Sequence, residues 1–237
     1  MSVAGEPVPG RPGTVFVTGG SSGLGAAVTA AVSAAGGIPA VIDRTPPPDP
    51  AIVFAAADLA DSATAAAAVE RLVARVGPPD AVVTAAGTDV CGPLDGVTTA
   101  EWEHVVRVNL FGTVAVIRAA LPHLKARDGR VVTVASTLGL KAVGDATAYC
   151  ASKFGVVGFT RALAAELAGQ VAVTLLVPGG MRTPFFDGRA EQYRPPPDAP
   201  LNDPANVAAT VLMALMQPPG CEVRELVVTS SEESSWP

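Results

Sequence analysis

Two patterns alternate along this chain. Short, nearly continuous apolar runs fall at 14–18, 38–42, 52–55, 81–84, 130–135, 171–177 and 225–228. Runs of that length, rich in β-branched residues and without alternation, predict strands covered on both faces. Between them lie longer stretches with apolar residues at helical spacing. In the first, Leu24, Ala27, Val28, Ala31, Val32 and Ala35 share one face, and Gly36-Gly37 ends it. Further helices are predicted at 62–76, 99–125, 146–168 and 204–216. Strand–helix alternation requires crossover connections, hence an α/β fold with a seven-stranded, mainly parallel sheet and helices on both faces. No internal repeat is visible, and 14–237 reads as one domain after a disordered leader at 1–13.

Two stretches break the alternation. Pro46-Pro47-Pro48-Asp49-Pro50 stands where a helix would otherwise join the second and third strands. Proline lacks the donor and clashes within a helix, so this connection is expected to be irregular. Residues 183–201 are rich in proline and charge and carry Phe185, Phe186 and Tyr193. A long irregular loop in a compact domain is usually functional or disordered.

Composition narrows the class. Hydrophobic residues make up 49% of the 237 and charged residues only 16%, which supports a packed core throughout. The net charge of −6, with few Lys and Arg, argues against nucleic acid or an anionic membrane as partner. No uninterrupted apolar run reaches the roughly 18 residues of a spanning helix, and the first residues lack a signal-peptide pattern. Cys91, Cys150 and Cys221 are odd in number, far apart and without metal-ligand spacing, so they are expected to be reduced thiols of a cytoplasmic protein, and no metal is expected.

The first strand runs into Thr18-Gly19-Gly20-Ser21-Ser22-Gly23-Leu24-Gly25 and then a helix. Glycines permit a tight turn and let backbone N–H groups approach a pyrophosphate, and the helix N-terminus offers partial positive charge. Taken alone, such a turn can be purely structural; its place between strand and helix makes it a dinucleotide candidate. Asp43 ends the second strand twenty residues after Gly23, the distance at which an acid reaches the adenosine ribose hydroxyls. A carboxylate there repels a 2′-phosphate and favours NAD. Arg44 beside it leaves NADP open, since a guanidinium binds that phosphate.

These segments together resemble the short-chain dehydrogenase/reductase family, in its compact single-domain branch. The turn fits T-G-x-x-x-G-x-G, Tyr149-Cys150-Ala151-Ser152-Lys153 fits Y-x-x-x-K, and Ser136 precedes Tyr149 by the family's thirteen residues. Asn109 matches the family's helix asparagine, Asp58-Leu59 its D-L pair, and Pro178-Gly179-Gly180-Met181-Arg182-Thr183 its P-G-x-x-x-T segment. One segment departs: the usual N-N-A-G reads Thr84-Ala85-Ala86-Gly87, and the missing asparagines are expected to loosen that strand end. The resemblance implies a Rossmann-like, doubly wound fold. It implies a cofactor held by Gly19, Ser21, Ser22, Gly23, Leu24, Gly25, Asp43, Arg44, Asp58, Leu59, Ala85, Ala86 and Gly87, with Pro178, Gly179, Met181 and Thr183 at its far end. It also makes 183–201 the substrate lid.

Chemistry supports the same residues. Hydride transfer to a carbonyl leaves an alkoxide that needs a proton, and the reverse needs a base. Tyr149 and Lys153 lie four residues apart on one predicted helix and so share a face. An ammonium close by is expected to lower the phenol's pKa toward neutrality. Ser136 follows a strand end, where its hydroxyl can hold the substrate oxygen. By resemblance Lys153 also bonds the nicotinamide ribose, and Asn109 fixes a water that relays protons from Lys153. Core packing for Tyr149 and a solvated charge for Lys153 are the plain alternatives. His104 and His123 read as surface or helix-end residues, and Cys150 as a buried thiol. The expected reaction interconverts a secondary alcohol and a ketone, in a homodimer or homotetramer. A dinucleotide-binding sensor without activity, and an epimerase or dehydratase, are the rivals. The polar tail 230–237 is expected to be free or to dock on a neighbouring subunit.

Overall fold

The computed structural model describes residues 10–236. In chain order it contains β1 (Thr14–Thr18), α1 (Gly23–Ala34), β2 (Ile38–Asp43), β3 (Val53–Ala56), α2 (Ser62–Val76), β4 (Ala81–Thr84) and α3 (Thr99–Val106). A π-helical segment, Arg107–Gly112, leads into α4 (Thr113–Lys125). Then follow β5 (Arg130–Val134), α5 (Thr147–Glu166), β6 (Ala172–Pro178), α6 (Pro204–Leu215) and β7 (Glu225–Val228). The seven strands form one sheet in the order β3-β2-β1-β4-β5-β6-β7. Every pairing is parallel; Val17, for example, stands level with Val41 on one side and Val83 on the other. The strand order reverses between β1 and β4, which opens a crevice at their C-terminal ends.

The strands are apolar throughout because helices cover both faces. On one face Phe16, Ile42, Val82 and Val131 pack with Leu72 of α2 and Ile117 and Leu124 of α4. On the other, Val15, Val17, Val132 and Leu176 pack with Val28 of α1 and Val211 of α6. Helix starts are set locally. Asp61 accepts from the Ala63 and Thr64 N–H groups, Thr98 and Glu101 form a capping box, and Asp203 caps α6 with Pro204 following. The prolines after β2 do exclude a helix; 46–52 are irregular, with bends and turns from 48 on.

Three details differ from the sequence reading. The helix expected over 99–125 is regular only at its two ends. Its middle turns are π-helical, and Gly112 there lies so close to the Leu59 carbonyl oxygen that a Cβ would stand 2.7 Å from it. Second, although no uninterrupted apolar run is that long, Thr99–Lys125 is by length and by the mean hydropathy of its most apolar 18-residue window (1.5) apolar enough to cross a membrane. Its Val105, Val116, Ile117, Ala120 and Leu124 are nevertheless buried inside this fold, as in a core helix. Third, the leader expected at 1–13 lies outside the described residues up to Val8 and Pro9, while Pro12 is buried and the Gly13 carbonyl accepts from Ile38 N–H.

Candidate active site

The C-terminal ends of β1, β2, β4, β5 and β6 open on one cleft of about 690 Å³. At one end lies the glycine turn. Gly19 has φ +69°, and a Cβ on it would stand 2.7 Å from the Ala86 Cα; a Cβ on Gly25 would run into the Gly19 carbonyl oxygen. The turn is therefore closed against β1 and β4 by backbone alone. Ser22, the N-cap of α1, is extended and makes no side-chain cap, and no acid lies in the first helical turn. The N–H groups there are left for an anion, as a pyrophosphate requires.

Asp43 lines the same end. Its carboxylate accepts from Ser21 N–H (3.1 Å) and Arg44 N–H (2.6 Å), which fixes its orientation beside the turn. Arg44 and Asp58-Leu59 also line the cleft. Ser21 does not; its hydroxyl donates to the Thr45 carbonyl and ties the turn to the end of β2. The β4 end is not loose, as the missing asparagines had suggested. Thr18 Oγ1 accepts from Ala86 N–H (3.2 Å), and Asn109 accepts from Thr88 N–H (2.8 Å) and donates to Thr88 O (2.9 Å).

The other end holds the expected chemistry. Tyr149, Lys153 and Ser136 all line the cleft. Tyr149 and Lys153 come from the first turns of α5, and Ser136 from the segment just after β5. Ser136 accepts from Leu138 N–H, and its hydroxyl lies near enough to the Tyr149 phenol to lower its pKa. Lys153 is 4% exposed; its Nζ donates to the Val134 carbonyl (2.9 Å) and lies 5.6 Å from the Tyr149 ring centroid. Asn109 is buried outside the lining. Besides Thr88 it donates to Ser152 Oγ, so its side chain joins the β4 end to α5. The π-helical turn is what carries it inward.

One electrostatic expectation is reversed. Burial pushes the Tyr149 phenol up to about 12; the Ser136 hydrogen bond and Arg189 oppose this, and Asp89 and Cys150 add to it. Burial brings Lys153 down to about 8, against the pull of Asp89. The chain's own groups thus favour a protonated phenol, because desolvation outweighs the nearby cations.

The segment 183–201, expected to be a lid, is irregular with two short 3₁₀ turns. Phe185 packs on Tyr149 with ring centroids 5.7 Å apart, and Phe186 lies edge-on to Phe185. Tyr193 is not part of the cleft: its hydroxyl donates to Asp145 (3.0 Å) at the rim of the fold. Several cleft residues had no motif to announce them. Asp89 and Arg189 form an ion pair at 2.7 Å. Cys91 donates to Asp89, and burial pushes its thiol up to about 11. His104, read as a surface or helix-end residue, lies in the last turn of α3 and lines the cleft as well. The tail folds back on its own chain: Glu233 accepts from Gly180 N–H, and Ser235 bonds Thr137. Among the described residues no cluster of His, Cys, Asp and Glu is arranged to hold a metal.

The short chain dehydrogenase family model matches residues 13–194. The chain is 30% identical to L-fucose dehydrogenase of Mus musculus over 242 aligned residues, covering 94% of this chain and 89% of that one. It is 30% identical to levodione reductase of Leifsonia aquatica over 76% of this chain and 74% of the other. Identity reaches 39% with the short-chain dehydrogenase/reductase ABA4 of Pyricularia oryzae, but over 114 residues, 42% of that protein's length. Among solved structures, a levodione reductase superposes with a TM-score of 0.81 at 27% identity, covering 92% of this chain and 96% of that one. An alcohol dehydrogenase from Thermococcus sibiricus, complexed with 5-hydroxy-NADP, shares the fold with a TM-score of 0.83 at 21% identity, over 92% and 97% of the two chains. With this match spanning the glycine turn, Ser136, Tyr149 and Lys153, the chain belongs to the short-chain dehydrogenase/reductase family of oxidoreductases.

Proposed function

We propose that this protein is an NAD-dependent oxidoreductase that interconverts a secondary alcohol and a ketone, with Tyr149 as the acid/base. The observation that carries this is the junction of two sites in one cleft: a turn whose Gly19 and Gly25 leave no room for a Cβ, flanked by Asp43, at one end, and Tyr149, Ser136 and Lys153 at the other. When bound, the dinucleotide supplies or takes up the hydride and, oxidised, brings a positive charge to the site.

Ser136 and Tyr149 hold the substrate oxygen between two hydroxyls. In reduction the carbonyl carbon gains the hydride and the oxygen takes the phenol proton. A phenol pushed up to about 12 is present as the acid at neutral pH. Lys153 returns the proton: its ammonium, brought to about 8, gives it up more readily than a lysine in water. In oxidation the phenol must lose its proton first, and a cationic cofactor ring offsets the cost of burial. Asn109 positions this machinery by joining Thr88 to Ser152 of α5.

Asp43 supports NAD over NADP, since its carboxylate is fixed at the ribose end while Arg44 is exposed. Phe111 and Phe154 are about half exposed on neighbouring helical segments, which supports association with a second copy. A panel of carbonyls with NADH, and of alcohols with NAD⁺, followed by cofactor absorbance, tests the assignment. Turnover of at least one class is expected; tight NADH binding with no turnover across the panel would point to the sensor instead.

A further inference from the structure

We infer that Glu233, on the C-terminal tail, is a specificity-determining residue that favours the oxidised, cationic nicotinamide ring over the reduced one; this rests on the oxidoreductase reading above. Glu233 and Ser235 line the same cleft as Ser136, Tyr149 and Lys153. The tail returns to the body at two strand ends. Glu233 Oε2 accepts from Gly180 N–H (2.8 Å), just after β6. Ser235 Oγ donates to Glu233 Oε1 (2.6 Å) and bonds Thr137 Oγ1 (2.6 Å), the neighbour of Ser136 after β5. Lys141, itself exposed, holds the tail through a bond from its Nζ to the Ser234 carbonyl (3.0 Å). The carboxylate is thus strung between the β5 and β6 ends, half-buried and open to the cleft.

This carboxylate is held in its charged form. It accepts from Gly180 N–H, from Ser235 N–H (3.2 Å) and from the Ser235 hydroxyl. With its proton given to Glu233, Ser235 in turn accepts from Thr137. Burial raises the Glu233 carboxyl, but these hydrogen bonds hold it below the ordinary carboxylate value. Nor is the charge cancelled locally. Glu233 forms no ion pair among the described residues, whereas Asp89 and Arg189 neutralise each other. Burial weakens Lys153 as a cation. Ser136 and Tyr149 hold the oxygen of the carbon that exchanges the hydride, so the ring is received beside them, at the β5 and β6 ends. Oxidised and reduced rings differ there by one positive charge, and a fixed carboxylate stabilises that charge through space without reorganising. In reduction the hydride goes to the carbonyl carbon and the phenol proton to its oxygen. Glu233 stabilises the charge left behind, and so biases the bound couple toward carbonyl reduction.

The test is binding alone. Dissociation constants of NAD⁺ and of NADH are measured by calorimetry for wild type, Glu233→Gln and Glu233→Asp. Glu233→Gln removes the charge and should lower the affinity for NAD⁺ relative to NADH about fivefold. Glu233→Asp keeps the charge and should leave the relative affinity within about twofold of wild type. An unchanged ratio in Glu233→Gln would overturn the inference, including the case in which both forms bind tighter alike because the tail only blocks their seat. An equal shift in Glu233→Gln and Glu233→Asp would overturn it too. The expected shift in a protein that turns over no carbonyl or alcohol would uphold the preference and contradict the oxidoreductase reading, whereas failure of wild type to bind either dinucleotide would contradict both.

Discussion

The two ends of the cleft are built by different means. The end proposed for the cofactor is shaped mainly by backbone. Gly19 and Gly25 leave no room for a Cβ, Asp43 is oriented by two N–H groups, and the strands beneath are buried on both faces. The end proposed for the substrate is lined by side chains on irregular segments: Phe185 and Arg189 from the segment 183–201, Asp89 from the β4 end, Glu233 and Ser235 from the tail. A backbone site tolerates almost no substitution and serves one ligand shape. A side-chain site on loops can be rebuilt without disturbing the sheet. One fold can thus keep its cofactor while its substrate pocket varies.

This contrast can be broken from either side. The largest effect is expected at the turn. Gly25→Val pushes a branched side chain into the Gly19 carbonyl and should weaken NADH binding about 100-fold, measured by calorimetry, with the sheet still folded by circular dichroism. A smaller effect is expected at the rim of the same end. Asp43→Ala removes the carboxylate that disfavours a 2′-phosphate and should shift the NADPH-to-NADH affinity ratio about tenfold toward NADPH.

The smallest effect concerns stability. Lys153 titrates near 8 in the folded chain and near its ordinary 10.5 when unfolded, so between these values the unfolded chain binds more protons. Lys153 therefore lowers stability below about pH 8, and that cost is relieved as the pH rises toward 10.5. The Cys91 thiol, raised to about 11, acts in the opposite sense above 9. The melting temperature of wild type minus that of Lys153→Met should therefore rise between about pH 8 and 10, isolating the lysine.

Legibility in the sequence follows the same division. The strands were readable because a doubly covered parallel sheet demands unbroken apolar runs, as at Val131–Val134 and Val173–Val177. The glycine turn, Asp43, Ser136, Tyr149 and Lys153 were readable because backbone-made and helix-made geometry fixes spacing. Asp89 and Arg189 stand one hundred residues apart and meet only because the segment 183–201 folds back against the β4 end. No periodicity links them. Asn109 was found, but its neighbours were not, since the π-helical turn breaks the 3.6-residue count. The pKa of Tyr149 was misjudged because spacing shows that Lys153 is near but does not show how deeply both are buried. The tail's return to Gly180 and Thr137 had no sequence signal beyond a few polar residues.

The central claim is that Tyr149 performs the proton transfer on a cofactor that other residues hold. Tyr149→Phe removes one oxygen and leaves the glycine turn, Asp43 and Lys153 in place. NADH affinity and steady-state turnover should be measured together on this variant, using the best substrate of the panel. Affinity within about threefold of wild type, with turnover reduced about 10³-fold, is the predicted result. Turnover at the wild-type level, or a loss of turnover matched by an equal loss of NADH binding, would contradict the account.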